Sequence, residues 1–197
     1  MTVNNFDQIK QLLNFTSKDD FYFAQILKRR KENPDMKTGV SVIKDIFINS
    51  IDYLEKKTDD MIEMAHKHNA RVTIRLNKRS YKKTALKTLI DISQKIDSEQ
   101  YHATKNSFSS AAGKFHSDPN KTWIIDIDIE DIHKGLDTRQ ILPILNSAKP
   151  IGPKIIAEIP SKTGFHIITK PFDQREFSKT YPSLEIKKDN PTNIYIP

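Results

Sequence analysis

One short apolar segment, Trp123–Ile129, constrains the fold more than any other feature because it carries two aspartates one residue apart. Side chains alternate between the faces of a β-strand, so the segment predicts a strand that presents Asp126 and Asp128 together on one face. Two carboxylates on one face of a hydrophobic strand are costly unless a positive charge lies between them. Because carboxylate oxygens suit Mg²⁺ and Mn²⁺, the strand predicts a site for such an ion. The alternative is that both carboxylates are solvated at a strand end or cap the following helix.

A second element further along the chain predicts a β-hairpin. Two apolar runs, Ile155–Pro160 and Phe165–Thr169, flank a small polar tetrad, which is the sequence pattern of two strands and a turn. Hydroxyl and ammonium groups in the tetrad suit an anionic ligand such as a phosphate, and Gly164 permits positive φ and close approach to the backbone. His166 lies inside the second run, either as a ligand contact or as a histidine satisfied by an ordinary hydrogen bond. The tetrad consists of Ser161, Lys162, Thr163 and Gly164.

Together these elements resemble motifs I and II of the archaeo-eukaryotic primase superfamily, which includes primase catalytic subunits, primase-polymerases and the polymerase domain of bacterial end-joining ligases. Motif I corresponds to Ile124–Asp128 and motif II to Ser161–His166. The third motif of the family is a single late acidic residue, for which two residues compete. Asp189 is preferred because Thr192 follows it at a spacing like that of the family's ending, whereas Glu185 has the hydrophobic neighbour that the motif expects.

The resemblance implies a DNA primase or polymerase, a nucleotidyltransferase that adds nucleotides to a primer or start site on a template. Asp126, Asp128 and the third acid, Asp189 or Glu185, would hold two Mg²⁺ or Mn²⁺ ions on an RRM-like sheet, where they serve the attacking 3′-hydroxyl and the leaving pyrophosphate. Its partners would be nucleoside triphosphates and a DNA or RNA template. The resemblance assigns nucleotide binding to Ser161, Lys162, Gly164 and His166.

The distribution of basic residues independently indicates an anionic partner. The formal net charge is +7, and the range Arg71–Lys87 contains no acidic residue. Arg71–Leu76 is predicted to be a strand, and Tyr81–Ile96 a helix that Ser80 caps, so basic side chains gather at a helix N-terminus that already favours anions. The apolar stripe of that helix is Leu86, Leu89, Ile90 and Ile96. The predicted nucleic-acid contacts are Arg71, Arg75, Lys78, Arg79, Lys82 and Lys83. A solvated basic surface is the alternative.

Composition excludes several other classes. The chain has no cysteine, so disulfides and cysteine-based zinc sites are excluded, and its six histidines show no His-x-x-x-His spacing. It has no apolar run long enough to cross a membrane and no signal-like leader, so we expect a cytoplasmic protein with no membrane partner.

The order of elements predicts an α+β fold with a mixed or antiparallel sheet. A basic α/β lobe is expected over residues 1–116, and an RRM-like catalytic module over residues 117–197, with the active cleft between them. The predicted boundary is the polar stretch Ser117–Lys121.

Two other functions use the same residues. One is a metal-dependent nuclease or a replication initiator of a mobile element, in which the aspartates act with His166. The other is a non-catalytic nucleic-acid-binding module. Convergence of Asp126, Asp128, His166 and a third acid would favour the two enzymes over the binding module.

Overall fold

The computed structural model describes residues 2–116 and 119–197, which form a mixed α+β fold around two antiparallel sheets. This agrees with the predicted fold class. Ser117 and Asp118, which begin the predicted boundary, lie outside the described residues. No helix in the described part of the chain is both long and apolar enough to cross a bilayer.

The first sheet contains the strands β1 (Val3–Asn4), β2 (Asp20–Arg29), β3 (Val40–Ile48), β4 (Arg71–Ser80) and β9 (Thr192–Ile196). Their order across the sheet is β1-β9-β4-β2-β3. The final strand therefore lies inside the sheet of the N-terminal lobe, between β1 and β4, although it comes from the C-terminal range. The predicted division near residue 117 separates the other strands of the two sheets but not this one.

The helices of the N-terminal part are α1 (Phe6–Leu12), α2 (Ile51–His68), α3 (Tyr81–Asp97) and α4 (Ser107–Lys114), with a 3-10 helix at Tyr101–Asn106 before α4. Helix α2 begins at Ser50, whose hydroxyl accepts a hydrogen bond from the Tyr53 amide at 3.0 Å. Its buried residues Leu54, Met61 and Ala65 recur at helical spacing, so α2 packs one apolar face on the first sheet.

The second sheet contains β5 (Trp123–Asp128), β6 (Ile155–Pro160), β7 (Gly164–Thr169) and β8 (Glu185–Lys187). Their order is β6-β7-β5-β8, and the predicted hairpin is β6 and β7. The helices of this part are α5 (Ile129–His133), α6 (Ile141–Ser147) and α7 (Gln174–Thr180), with a 3-10 helix at Thr138–Gln140. The apolar segment around the aspartates forms a strand as predicted, except that Ile129 starts α5.

The two faces of β5 pack in different places because its side chains alternate. Ile124 belongs to the large cluster that also contains residues of the first sheet, such as Ile74. Ile125 and Ile127 belong to a separate cluster with Leu145 of α6 and Phe177 of α7. The second sheet is thus enclosed between the first sheet and a helical layer. Asp126 and Asp128 share the face of Ile124, which places them toward the first sheet.

Helix α3 differs from its predicted packing. Its boundaries and its Ser80 cap agree with the sequence, since the Ser80 hydroxyl accepts a hydrogen bond from the Lys83 amide at 3.0 Å. The buried residues of α3 are Thr84 and Thr88, and its apolar stripe is exposed. Helical spacing shows which residues share a face of a helix, but it does not determine which face is buried.

Candidate active site between the two sheets

A cleft of about 410 Å³ opens between the two sheets. The second sheet contributes residues that were predicted to bind metal ions or phosphate, namely Asp126, Asp128, Ser161, Lys162 and His166. The first sheet and the loop after β2 contribute Arg29, Lys31, Glu32, Arg71 and Thr73. Acidic and basic side chains from distant parts of the sequence therefore line one cavity.

The carboxylate of Asp126 contacts two side chains, those of His166 and Lys187. It lies opposite His166 in the β5–β7 pairing, and His166 Nε2 is 3.3 Å from Asp126 Oδ1. Lys187 of β8 donates to Asp126 Oδ2 at 2.6 Å. The hydrogen bond from His166 lowers the pKa of the Asp126 carboxyl; burial raises it, but the hydrogen bond and charge of Lys187 help to hold the pKa well below its usual value. Asp126 is therefore an ionised group in the protein at neutral pH.

His166 links the two sheets through its imidazole ring. Its Nδ1 lies 2.8 Å from the hydroxyl of Thr192 in β9, while its Nε2 faces Asp126. If Nε2 carries the proton, the ring donates to the carboxylate and accepts from the threonine, so one tautomer satisfies both contacts. His166 as a whole residue is 8% exposed. Both interpretations of the sequence therefore apply to His166: its ring is satisfied by hydrogen bonds, and it also lines the cleft.

Asp128 occupies the mouth of the cleft and is more exposed than Asp126. Its Oδ1 accepts a hydrogen bond from the hydroxyl of Thr163 in the hairpin turn at 2.8 Å. It also stands at the N-terminus of α5, where its own amide donates to the Asp131 carboxylate at 3.1 Å. The sequence left two alternatives for Asp128, a ligand site or a position at the start of a helix. In the structure Asp128 lies at both.

Gly164 is required by strand pairing rather than by the turn. The sequence suggested a glycine that permits positive φ, but Gly164 does not adopt that conformation. A Cβ atom at this position would lie 2.0 Å from the carbonyl oxygen of Ile127 and 2.9 Å from Asp128 Cα. Only glycine lets β7 approach β5 this closely, and this contact positions the hairpin turn beside Asp128.

Asp189, the preferred third acid, does not line the cleft. Its carboxylate accepts hydrogen bonds from Arg79 Nη2 at 2.7 Å and from the Asn77 side chain at 3.0 Å. Arg75 binds its carbonyl oxygen and lies 3.6 Å from its carboxylate. Asp189 therefore joins the segment before β9 to strand β4, where its carboxylate already has cationic partners.

Glu185, the alternative third acid, does not line the cleft either, but it lies on the strand next to that of Asp126. It lies directly opposite Asp126 in the β5–β8 pairing, and paired residues of neighbouring strands point to the same face of a sheet. Its Oε2 is 3.5 Å from Lys187 Nζ, so a single ammonium group contacts both Asp126 and Glu185. Asp126, Asp128 and Glu185 thus present three carboxylates on one face.

Lys187 was missed by the sequence analysis, as were Arg29, Lys31 and Glu32 of the opposite wall. A signal for Lys187 was present, because the alternation in Glu185-Ile186-Lys187 predicts that Lys187 shares the face of Glu185. No comparable local pattern marked the other residues.

The chain matches no family model, no curated protein and no solved structure. The function therefore has to be argued from the geometry of the cleft.

The predicted basic surface is divided by the fold. Arg71 lines the cleft, where it pairs with Glu32, and its Nε is buried without a hydrogen-bond partner in the described part of the chain. Arg75 and Arg79 bind Asp189, and Arg79 is 1% exposed, so neither side chain is available to nucleic acid as was expected. Lys78 contacts the buried carboxylate of Asp20 at 2.9 Å. Of the predicted contacts, Lys82 and Lys83 lie exposed on α3.

Carboxylate oxygens are suitable ligands for a hard divalent ion, but the carboxylates of this site already form hydrogen bonds or ion pairs with other side chains. Among residues 2–116 and 119–197, no group of three or more histidine, aspartate and glutamate side chains is arranged to hold a metal ion. Lys187 instead supplies positive charge between Asp126 and Glu185. An ion bound by these oxygens would have to displace the lysine ammonium group.

Proposed function

We propose that the chain is a template-directed nucleotidyltransferase of the primase or polymerase type. The observation that supports this most is the convergence of Asp126, Asp128 and His166 with Lys162 and Arg71 in one cleft between the two sheets. Phosphoryl transfer of this kind depends mainly on positioning and charge neutralisation, for which carboxylates on one wall and cations around them are sufficient.

Asp126, Asp128 and Glu185 are the residues that would hold Mg²⁺ or Mn²⁺. When bound, such ions supply charge neutralisation for the attacking 3′-oxygen and for the departing pyrophosphate. Glu185 replaces Asp189 in this role because Glu185 shares a face with Asp126, whereas Asp189 forms an ion pair with Arg79. The second sheet with its helices would be the RRM-like module, and β9 would couple it to the basic lobe.

The substrates are nucleoside triphosphates and a primed or unprimed nucleic-acid template. The 3′-oxygen attacks the α-phosphorus, a phosphodiester bond forms, the bond to pyrophosphate breaks, and the hydroxyl proton passes to solvent. Lys162, Arg29 and Lys31 line the cleft and would bind the phosphates of the nucleotide. His166, fixed between Asp126 and Thr192, would keep the Asp126 carboxylate in position and contact the same phosphates. A cytoplasmic location agrees with these substrates.

The decisive experiment is extension of a labelled primer on a template with nucleotides and Mn²⁺, run in parallel without nucleotides. Extension of the primer supports the polymerase, whereas shortening in either mixture supports the alternative of a metal-dependent nuclease. Asp128→Asn should reduce extension by at least about a hundredfold, a typical effect of removing one group that stabilises transition-state charge. Glu130→Gln is the matched control, because Glu130 is a neighbouring carboxylate with an 83% exposed side chain. Near-normal extension by Asp128→Asn would contradict the proposed site.

A non-catalytic nucleic-acid-binding module is the second candidate. It is favoured by the contact of Lys187 with Asp126, which neutralises the carboxylate without a metal ion. The same experiment separates the two, since a binding module would change the length of the labelled primer in neither mixture.

A further inference from the structure

Helix α3 exposes the side chains that a surface helix normally buries. Its inward face consists of Thr84 and Thr88, which are 1% and 9% exposed. Its outward apolar residues are Leu86 at 53%, Leu89 at 61%, Ile90 at 52% and Ile96 at 51% exposure. Single exposed aliphatic residues are ordinary, but a continuous stripe along one helix marks an interaction surface.

A groove beside this stripe gives the surface a defined shape. The groove has a volume of about 470 Å³ and lies between α3 and the segment that follows α4. Leu86 and Ile90 line one side, and Phe115, 48% exposed, lines the other. A concave apolar surface of this kind accepts the anchor side chains of an amphipathic helix.

The charges around the groove define the partner further. Lys83 and Lys87 line it, and Lys87 Nζ lies 5.4 Å above the ring of Phe115. Two further exposed lysines, Lys82 and Lys114, adjoin groove residues in the sequence. Among the described residues that line the groove, none is acidic, and none lines the cleft between the sheets. The surface is therefore apolar at its centre, basic at its rim and separate from the candidate active site.

We propose that α3 and Phe115 form a docking surface for an acidic amphipathic helix of a partner protein. Apolar anchors of that helix fill the groove, and its flanking carboxylates pair with Lys83 and Lys87. A second copy of this chain fits poorly, because two such surfaces would bring the same lysines together. A nucleic-acid strand would satisfy the lysines but leave the aliphatic stripe exposed.

The test uses a labelled synthetic peptide of roughly 18 residues, about five helical turns, with leucines on one face and glutamates beside them. Fluorescence anisotropy should show saturable binding to the full chain and much weaker binding of a peptide with lysines in place of the glutamates. Ile90→Gln should weaken binding of the acidic peptide at least about tenfold, as expected for an apolar residue that lines the groove. Ile151→Gln is the matched control, because Ile151 is 83% exposed and lies outside the groove.

Lys83→Glu combined with Lys87→Glu should reverse the preference toward the lysine peptide. Circular dichroism must show that each variant keeps the fold, which is expected because all the altered side chains are exposed. The proposal is overturned if the acidic peptide does not bind or if Ile90→Gln binds it as the unaltered chain does. It is also overturned if Ile90 is instead needed for binding single-stranded DNA, for binding phosphatidylserine vesicles or for self-association in sedimentation experiments.

Discussion

At the scale of single residues, Asp126 and Lys187 form a charge pair at the position where the proposed function requires a metal ion. The lysine donates to Asp126 at 2.6 Å and lies 3.5 Å from Glu185. An ammonium group at this position occupies carboxylate lone pairs and repels any second cation. Lys187 is therefore expected to set the affinity of the site for divalent ions.

Lys187→Gln should bind Mn²⁺ more tightly than the unaltered chain. Two unit charges about 4 Å apart interact by about 4 kcal/mol at an effective dielectric constant of about 20, so even partial relief should lower the dissociation constant at least about tenfold. Electron paramagnetic resonance of free Mn²⁺ measures this directly. Lys188→Gln is the control, because it removes the same charge from a side chain that lies 5.1 Å above the Trp123 ring. Equal affinities in both variants would contradict the role of Lys187, and no binding at all would contradict the metal site.

Asp126→Asn should reduce stability, and it should do so more at neutral pH than in acid. The contacts of His166 and Lys187 keep the folded pKa of Asp126 below that of an unfolded aspartate, about 3.9. The unfolded chain therefore takes up this proton first as pH falls. The free energy of unfolding that the group contributes is present above about pH 3.9 and is lost below it.

Urea unfolding followed across this pH range measures that contribution. Near neutral pH, Asp126→Asn should lower the free energy of unfolding by about 1–3 kcal/mol, because it removes the shorter of the two carboxylate contacts of Lys187. Asp128→Asn should cost little, since Asp128 is exposed and its side chain accepts from Thr163 at the surface. A pH dependence unchanged by Asp126→Asn would show that the ion pair does not form in solution.

At the scale of elements, the close approach of β5 and β7 depends on Gly164. Gly164→Ala would place a methyl group 2.0 Å from the Ile127 carbonyl oxygen, so the two strands have to separate. We expect a loss of about 3 kcal/mol or more in thermal or urea unfolding, in the range of severe overpacking. Gly39→Ala is the control, because nothing lies within 4 Å of a Cβ at Gly39 and its φ is not positive. If both variants are equally stable, the strands do not approach as closely as described.

Local patterns predicted the elements themselves but not their partners. The hairpin of β6 and β7 and the strand β5 followed from runs of apolar residues. The stripe on α3 was recognised but its exposure was not, because periodicity does not show what packs on a helix. Asp189 and Arg79 were read as functional residues because sequence gives no sign that two distant charges neutralise each other. Lys187 was missed because the segment that forms β8 was considered only for a third acidic residue.

At the scale of the whole molecule, the two sheets share one hydrophobic cluster. Ile124, Ile159 and Ile168 of the second sheet belong to the same cluster as Ile74 and Ile194 of the first. Asn5 adds a polar connection, since its side chain donates to the carbonyl oxygens of Pro160 and Asn193, one in each sheet. The lobes on either side of the cleft should therefore unfold together.

Ile74→Ala tests this coupling. Ile74 is fully buried in β4, and its truncation should cost about 2–5 kcal/mol. The single tryptophan, Trp123, lies in the other sheet and reports on it through fluorescence. We expect the urea midpoint of Trp123 fluorescence to fall together with the midpoint of the circular dichroism signal, because a single cooperative transition changes both. Val42→Ala, at a 48% exposed position of the first sheet, should leave both midpoints nearly unchanged. A tryptophan midpoint that stays constant in Ile74→Ala would mean that the lobes unfold separately.

Strand β9 has a consequence for how the chain is made. It pairs with β1 on one side and β4 on the other, so among the described strands β1 is joined to β4 only through a segment that is synthesised after both of them. Thr192, which orients His166, arrives in the same segment. During synthesis the nascent polypeptide therefore carries an open gap beside β4, and the imidazole of the cleft gains its second contact only when translation of this segment is finished.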